Sequence, residues 1–328
     1  MELFLLIKKE SDFPEKLPES IREEFFDTDS LIREAGDYML YVNKKTVAGS
    51  CIHYSNEHGS ITGTGTFIYK SESPCESLKL LMEDLLEDRF DAGSLLGHYF
   101  IFLFLPSGIK LFTDGTGLVR AYHDQKGSYL ASSFLRSARL HDRLTLNRDA
   151  ATENLLTGGI IGSETLVNEI SSFSGASFTL FPDIEFILPH VAHADESKEP
   201  EPVAIRRESE RLDAWFRSCS RLAEACGADI GLTGGYDSRL VLAYARNNIY
   251  NLQVHSHFRP SGSEEWRIAR DIAVGERIQF VSPEVTPPEE MDDEMLLRVM
   301  AGSFRFNDGI ISLHCNWMEE YNTLEYRR

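Results

Sequence analysis

Basic residues are scarce in this chain: 33 Lys and Arg stand against 52 Asp and Glu over 328 residues, a formal net charge of −19. Binding to a phosphate backbone draws its strength from Lys and Arg that neutralise phosphates, so neither nucleic acid nor an anionic membrane surface is expected as a partner. The same acidity also serves to keep a protein in solution. Long apolar runs are lacking too. A membrane-spanning helix needs about 20 consecutive apolar residues, and the longest run here, Tyr99 to Leu105, has only the length of a strand. The apolar opening, Met1 to Ile7, is followed at once by Lys8, Lys9 and Glu10 with no basic segment ahead of it. That pattern predicts a first buried strand and not a signal peptide. Cysteine is sparse: Cys51, Cys75, Cys219, Cys226 and Cys315 are odd in number, widely spaced and form no CxxC pair. Neither a zinc site nor a disulfide framework is indicated, and a reducing cytoplasm is the simplest location. Internal repeats and low-complexity tracts are absent.

What is there suits an ordinary globular protein, with 42% hydrophobic and 26% charged residues. The length exceeds the size at which one core usually divides, which predicts two domains. Up to about residue 195 the pattern is strand-rich: Tyr38 to Val42, Gly65 to Tyr69, Tyr99 to Leu105, Ile109 to Thr113 and Ser177 to Phe181. Pro106-Ser107-Gly108 and Asp114-Gly115 fall where hairpin turns are needed. Helices are predicted at Ser77 to Leu86 and at Asn147 to Leu156, the second capped by Asn147. Between Pro189 and Arg206 a charged, proline-punctuated stretch marks a linker. It separates a domain of residues 1–195 from one of residues 205–328. Beyond it, Arg207 to Cys226 predicts an amphipathic helix whose apolar positions are Leu212, Trp215, Phe216, Cys219, Leu222 and Ala223. Strand and helix then alternate, as in a parallel sheet built from crossover units.

The chemistry lies in the first of those units. Ala228 to Leu232 predicts a strand, Thr233-Gly234-Gly235-Tyr236-Asp237-Ser238 a turn, and Arg239 to Asn247 a helix buried through Leu240, Val241, Leu242 and Tyr244. Paired glycines let a backbone approach a ligand closely. The first N–H groups of a helix lack internal partners and sit at the positive end of its dipole, so they can bind phosphate. Thr233 and Ser238 add hydroxyl donors, and Asp237 suits a Mg²⁺ that bridges phosphate oxygens. A Walker loop would need Lys before the Ser or Thr, and a dinucleotide fingerprint would need GxGxxG; neither is present at this point. A second strand, Asn251 to Phe258, and a second helix, Ser263 to Ala273, follow. His255 and His257 have the spacing of metal ligands but no third partner, so a buried or edge histidine is the better reading.

The segment Leu232-Thr233-Gly234-Gly235-Tyr236-Asp237-Ser238-Arg239-Leu240 resembles the loop of the N-type ATP pyrophosphatases (a PP-loop), in their asparagine-synthetase branch. The resemblance implies ATP held by Leu232, Thr233, Gly234, Gly235, Asp237 and Ser238, with adenine near Ser256 and Mg²⁺ on Asp237. Glu264 and Glu265 match the acidic opening of the family's next helix. Residues 60 to 182 resemble the family's glutamine amidotransferase domain, which is of the N-terminal-nucleophile (Ntn) type. Leu96-Gly97-His98-Tyr99-Phe100-Ile101-Phe102 looks like its central strand. Thr113-Asp114-Gly115-Thr116-Gly117-Leu118 with Tyr122 looks like its hairpin, and Ser163-Glu164-Thr165-Leu166 with Ile170 and Ser174-Gly175 like its Thr-Leu segment. The implied fold class is α/β: an Ntn-hydrolase-like αββα sandwich followed by a parallel-sheet adenine-nucleotide α-hydrolase-like domain.

Departures from the family pattern shape the expected function. The family's amidotransferase uses an N-terminal cysteine; here Glu2 follows Met1, the first cysteine is Cys51, and Thr113 replaces the hairpin arginine. Glutamine hydrolysis is therefore not expected, and no catalytic residue is identified. The family's Ser-Gly-x-Gly-x-Asp-Glu segment does not appear before Arg328, and neither Gly302-Ser303 nor Asp308-Gly309 matches it. The second domain is accordingly expected to be cut down, or the chain to be part of a longer one. The leading expectation is an ATP-dependent ligase that activates a carboxylate as its adenylate and passes it to ammonia or to an amine within the substrate. The alternative is an inactive scaffold that keeps the fold. A tRNA-modifying relative is disfavoured by the charge. The expected partners are a small-molecule carboxylate and an amine donor, with assembly as a homodimer left open.

Overall fold

The computed structural model describes residues 3–10, 30–43, 53–114, 120–157, 159–187, 200–256 and 264–281. Their architecture is mixed α/β, with three sheets. The first sheet has the order β10-β8-β9-β1-β3-β2, from β1 (Leu3–Lys8), β2 (Ser30–Ala35), β3 (Tyr38–Asn43), β8 (Tyr122–Asp124), β9 (Tyr129–Ala131) and β10 (Ile170–Ser172). The second has the order β11-β7-β6-β5-β4, from β4 (His53–Asn56), β5 (Gly59–Tyr69), β6 (Leu95–Leu105), β7 (Gly108–Thr113) and β11 (Ile184–Ile187). Its pairs are antiparallel except β11 with β7, which is parallel.

These two sheets face each other. Phe4, Leu6, Leu40 and Val42 from the first share one buried cluster with Phe100, Phe102, Phe104, Ile109 and Leu111 from the second. The alternate residues of β6, Tyr99, Ile101 and Leu103, face outward and are covered by Leu78, Leu81 and Met82 of helix α1 (Pro74–Leu86). That explains why Tyr99 to Leu105 is apolar without alternation: a strand buried on both faces has no polar side to show. On the far side of the first sheet, Leu5, Ile7, Tyr41 and Tyr129 pack with Leu140, which closes helix α2 (Phe134–Arg139). Helix α3 (Arg148–Thr157) begins where expected, and the Asn147 side chain accepts the Ala150 N–H at 3.1 Å as its cap.

The third sheet is parallel, in the order β12-β13-β14: Ala228–Gly231, Leu252–His255 and Gln279–Val281. Three helices accompany it, α4 (Glu201–Cys226), α5 (Tyr236–Asn248) and α6 (Glu264–Glu276). Ile230, Leu252, Val254 and Phe280 gather with Leu242 of α5 and with Ala269 and Ala273 of α6. Phe216 and Ala223 of α4 pack on Ala245 and Ile249.

Several expectations need correction. Ser177 to Phe181 is not a strand but the end of a 3-10 turn, Gly175–Leu180, closed by a reciprocal bond in which Ser177 Oγ accepts the Ser174 N–H. Helix α4 begins earlier than the expected Arg207, because Glu201 and Pro202 already form its first turn, where a proline costs nothing. On α4 the buried positions are Phe216 and Ala223, while Leu212 and Trp215 remain partly open to solvent. On α5, Leu242 and Ala245 are buried, whereas Leu240 and Val241 are 54% and 42% exposed. Three consecutive apolar residues cannot share one helix face; the 3.6-residue period selects positions 238, 242, 245 and 249. Among the described residues, no helix is long and apolar enough to cross a membrane.

Candidate functional site

The candidate site forms at the carboxyl edge of the parallel sheet, where ligands of open α/β sheets gather. Leu232, fully buried, donates its N–H to His255 O at 2.7 Å and so carries the ladder one residue past β12. The chain then turns through Thr233 and Gly234 into α5, whose N-cap is Gly235. The N-cap glycine supplies no side-chain cap, and among the described residues no side chain caps this helix, which leaves its first N–H groups available to an outside acceptor.

The turn is braced from within by two hydroxyls. Ser238 Oγ accepts the Thr233 N–H at 3.1 Å and lies 2.9 Å from Thr233 Oγ1, which in turn accepts the Gly235 N–H at 3.1 Å. Thr233 and Ser238, expected as phosphate donors, therefore hold each other in this conformation. Gly235, Tyr236 and Asp237 are exposed, while Thr233, Gly234 and Ser238 are half-buried. A Cβ on Gly234 would stand 3.3 Å from Ile268 Cδ1 and 3.8 Å from Glu265 Cγ, so the turn lies against the opening of α6. Glu264 and Glu265 occupy the first turn of that helix.

Ser256 immediately follows β13. Gly231 is paired with His255, which places Ser256 level with Leu232 at the same edge. It is 2% exposed, and its Oγ has no hydrogen-bond partner among the described residues. Alternation sets it on the face of Val254, the face that α5 and α6 cover. An unpaired buried hydroxyl is costly, and a polar ligand in the crevice would relieve it.

His255 points to the other face. Its Nδ1 lies 2.6 Å from Asp229 Oδ2, with both side chains buried. His257 falls outside the described residues, and no group of three metal-ligating side chains occurs among the described residues. Sequence reasoning missed Asp229 as the partner of His255; the parallel register, which brings positions 229 and 255 onto one face, is the signal that could have revealed it. Arg239 belongs to the loop segment but has no role in the sequence reading; its guanidinium carbon lies 4.6 Å from the Tyr236 ring centroid.

In the two-sheet half, Asp114 is buried, donates its backbone N–H to Tyr99 O at 3.2 Å, and sets Oδ2 3.0 Å from His98 Nδ1. Thr113 is buried at the end of β7. Residues 115–119 lie outside the described ones. Thr165 is buried and donates its hydroxyl to Ile170 O at 2.7 Å, tying the loop to β10.

The residues that could hold a triphosphate with Mg²⁺ are the helix amides opening α5, the close-packed Gly234, the exposed carboxylate of Asp237 and the Ser256 hydroxyl, which has no partner among the described residues. Mg²⁺ commonly uses one or two carboxylates together with substrate phosphates.

No protein-family profile matches the chain, and no curated protein matches it in sequence. Among solved structures, it is similar to a glutamine phosphoribosylpyrophosphate amidotransferase from B. subtilis complexed with ADP and GMP. That similarity has 9% identity and a TM-score of 0.33, covering 87% of this chain and 91% of the other.

Proposed function

We propose that this protein is an ATP-dependent, AMP-forming carbon–nitrogen ligase of the asparagine-synthetase kind. In this reading the two-sheet half is a degenerate Ntn-type amidotransferase domain, and the parallel-sheet half is an adenine-nucleotide α-hydrolase-like domain. The substrate is a small-molecule carboxylate. The amine comes as ammonia or from within the substrate, since Thr113 stands where the amidotransferase hairpin carries arginine. The observation that carries the reading is the Leu232–Leu240 segment, Leu-Thr-Gly-Gly-Tyr-Asp-Ser-Arg-Leu, folded as strand, turn and uncapped helix at the edge of a parallel sheet.

In this scheme the N–H groups opening α5 donate to phosphate oxygens and stabilise the charge that shifts during adenylation. Thr233 and Ser238 exchange their mutual bond for bonds to phosphate oxygen. Asp237 orients Mg²⁺, which when bound helps pyrophosphate to depart. Ser256 takes a polar edge of the nucleotide. Leu232 excludes water from beneath the turn.

A second reading, a scaffold that keeps the fold without turnover, is favoured by one observation: the turn already satisfies its own hydroxyls and the Gly235 N–H. Calorimetric titration with MgATP separates the two. Binding is expected; a folded protein that takes up no MgATP overturns the ligase reading. Pyrophosphate release on adding a carboxylate with an amine overturns the scaffold.

A further inference from the structure

The nucleotide reading leaves Arg239 unexplained. It is the fourth residue of α5, and its Nε donates back to the N-cap carbonyl, Gly235 O, at 3.0 Å. A cation is disfavoured there, because the helix dipole presents its positive end. The chain is rich in acids that could draw the side chain elsewhere. Arg211, Arg217, Arg221, Arg246 and Arg270 in the same half each hold a carboxylate. Arg239 holds none among the described residues, although Asp237 is two positions away, and it rests instead on the 85%-exposed ring of Tyr236. An exposed cation–π contact is weak and readily given up. Ser256 supplies the independent sign of a ligand: a buried hydroxyl with no partner among the described residues, on the Val254 face that α5 and α6 cover.

We propose that Arg239 is the side-chain counter-charge for a polyphosphate at this turn, parked on Tyr236 until the anion arrives, and that it makes the site select triphosphate over monophosphate. The choice of ligand rests on the nucleotide reading above; the role of the arginine is a separate claim. The guanidinium fork matches phosphate oxygens in pairs, and from the N-cap it reaches an anion held by the same helix amides. A monophosphate whose phosphate lies away from the turn would gain little from it.

The test is calorimetric titration of the full chain and of Arg239→Ala with three probes: MgATP, magnesium tripolyphosphate and AMP. Arg239→Ala is expected to lose about tenfold in affinity for the two polyphosphates and to change by less than about twofold for AMP. Arg239→Lys should recover only part of the loss, having charge without the fork. Because a cation is unfavourable at this helix end, Arg239→Ala should melt no lower than the parent, which separates a lost contact from a lost fold. Equal tripolyphosphate affinity in parent and Arg239→Ala overturns the inference, while MgATP binding in both leaves the nucleotide reading standing. Arg239-dependent tripolyphosphate uptake without MgATP uptake supports the inference and overturns the nucleotide reading. A folded parent that takes neither overturns both.

Discussion

At the scale of single residues, Asp84 illustrates how a buried charge is held. Its carboxylate accepts the Tyr69 hydroxyl at 2.9 Å and Lys70 Nζ at 2.5 Å, and Arg89 Nη2 lies at 3.1 Å. Donation from Lys70, with help from Tyr69 and Arg89 and against the effect of burial, holds its pKa below the usual 3.8. A folded pKa below the unfolded one means stability that is fully present above the ordinary value and is lost as pH falls through the lowered one. The thermal midpoint of the parent is therefore expected to drop steeply below about pH 4, and Asp84→Asn to flatten that dependence. At neutral pH the substitution should cost about 2 kcal/mol, less than a fully buried pair would, because Lys70 and Arg89 are themselves substantially exposed. Denaturant melts at pH 3, 5 and 7 measure both effects. An acid dependence as steep in Asp84→Asn as in the parent would exclude Asp84 as a source. Ser238 is the corresponding residue at the turn: Ser238→Ala removes the acceptor of the Thr233 N–H and should cost about 1 kcal/mol without ligand. Any loss of MgATP affinity beyond that would report on the ligand.

At the scale of elements, two glycines are structural requirements of the β5–β6 pair. Gly97 has φ +120°, and a Cβ there would lie 2.1 Å from Thr66 O; Gly65 has φ +90°, and its Cβ would lie 2.2 Å from His98 O. Backbone carbonyls cannot move aside as side chains do. Gly97→Ala should destabilise by about 3 kcal/mol or more, whereas Gly93→Ala, which meets only the flexible Asp91 side chain, should stay within about 1 kcal/mol. Equal melting of the two variants would refute the close approach. Helix α3 offers a milder case: Asn147→Ala removes its cap and should cost about 1 kcal/mol. Elements with a strong local signal were legible in the sequence. The doubly buried β6, the capped α3 and the turn from Thr233 to Ser238 are examples, because period, cap and glycine pair act over a few residues. What was not legible depended on partners far away in sequence. Gly175–Leu180 has the composition of a strand, and bonds such as those between Ser177 and Ser174 and from the Phe181 N–H to Phe178 O fix it as a tight turn. The burial of Leu242 rather than Leu240 on α5 depends on where α6 packs. At the site, the turn itself was readable, whereas the pairing of Asp229 with His255 needed the parallel register, and the position of Arg239 needed the path of its side chain.

At the scale of the molecule, two polar contacts among the described residues join the two-sheet half to α4. Arg221 of α4 bonds Glu72 at 2.6 Å, and the hydroxyls of Ser71 and Ser218 meet at 2.6 Å. Arg221 is 54% exposed, and an exposed ion pair contributes about 0–1 kcal/mol, so these bonds orient the halves more than they stabilise them. Each half has apolar clusters of its own: Phe4, Leu40, Phe100 and Phe102 in one, and Leu232, Leu242, Val254 and Ala269 in the other. Burial of one such side chain contributes about 1.5–3 kcal/mol, so a single cluster outweighs the polar bridge several times over. The expected result is unfolding in two calorimetric steps. MgATP, if bound at the turn, raises only the step belonging to the parallel sheet, since a ligand stabilises the unit that holds it. Arg221→Glu, which sets two carboxylates against each other, should leave both midpoints within a few degrees of the parent while loosening the halves in scattering. A single cooperative transition that Arg221→Glu lowers as a whole would mean that the halves share one core, and the division into two units would then have to be abandoned.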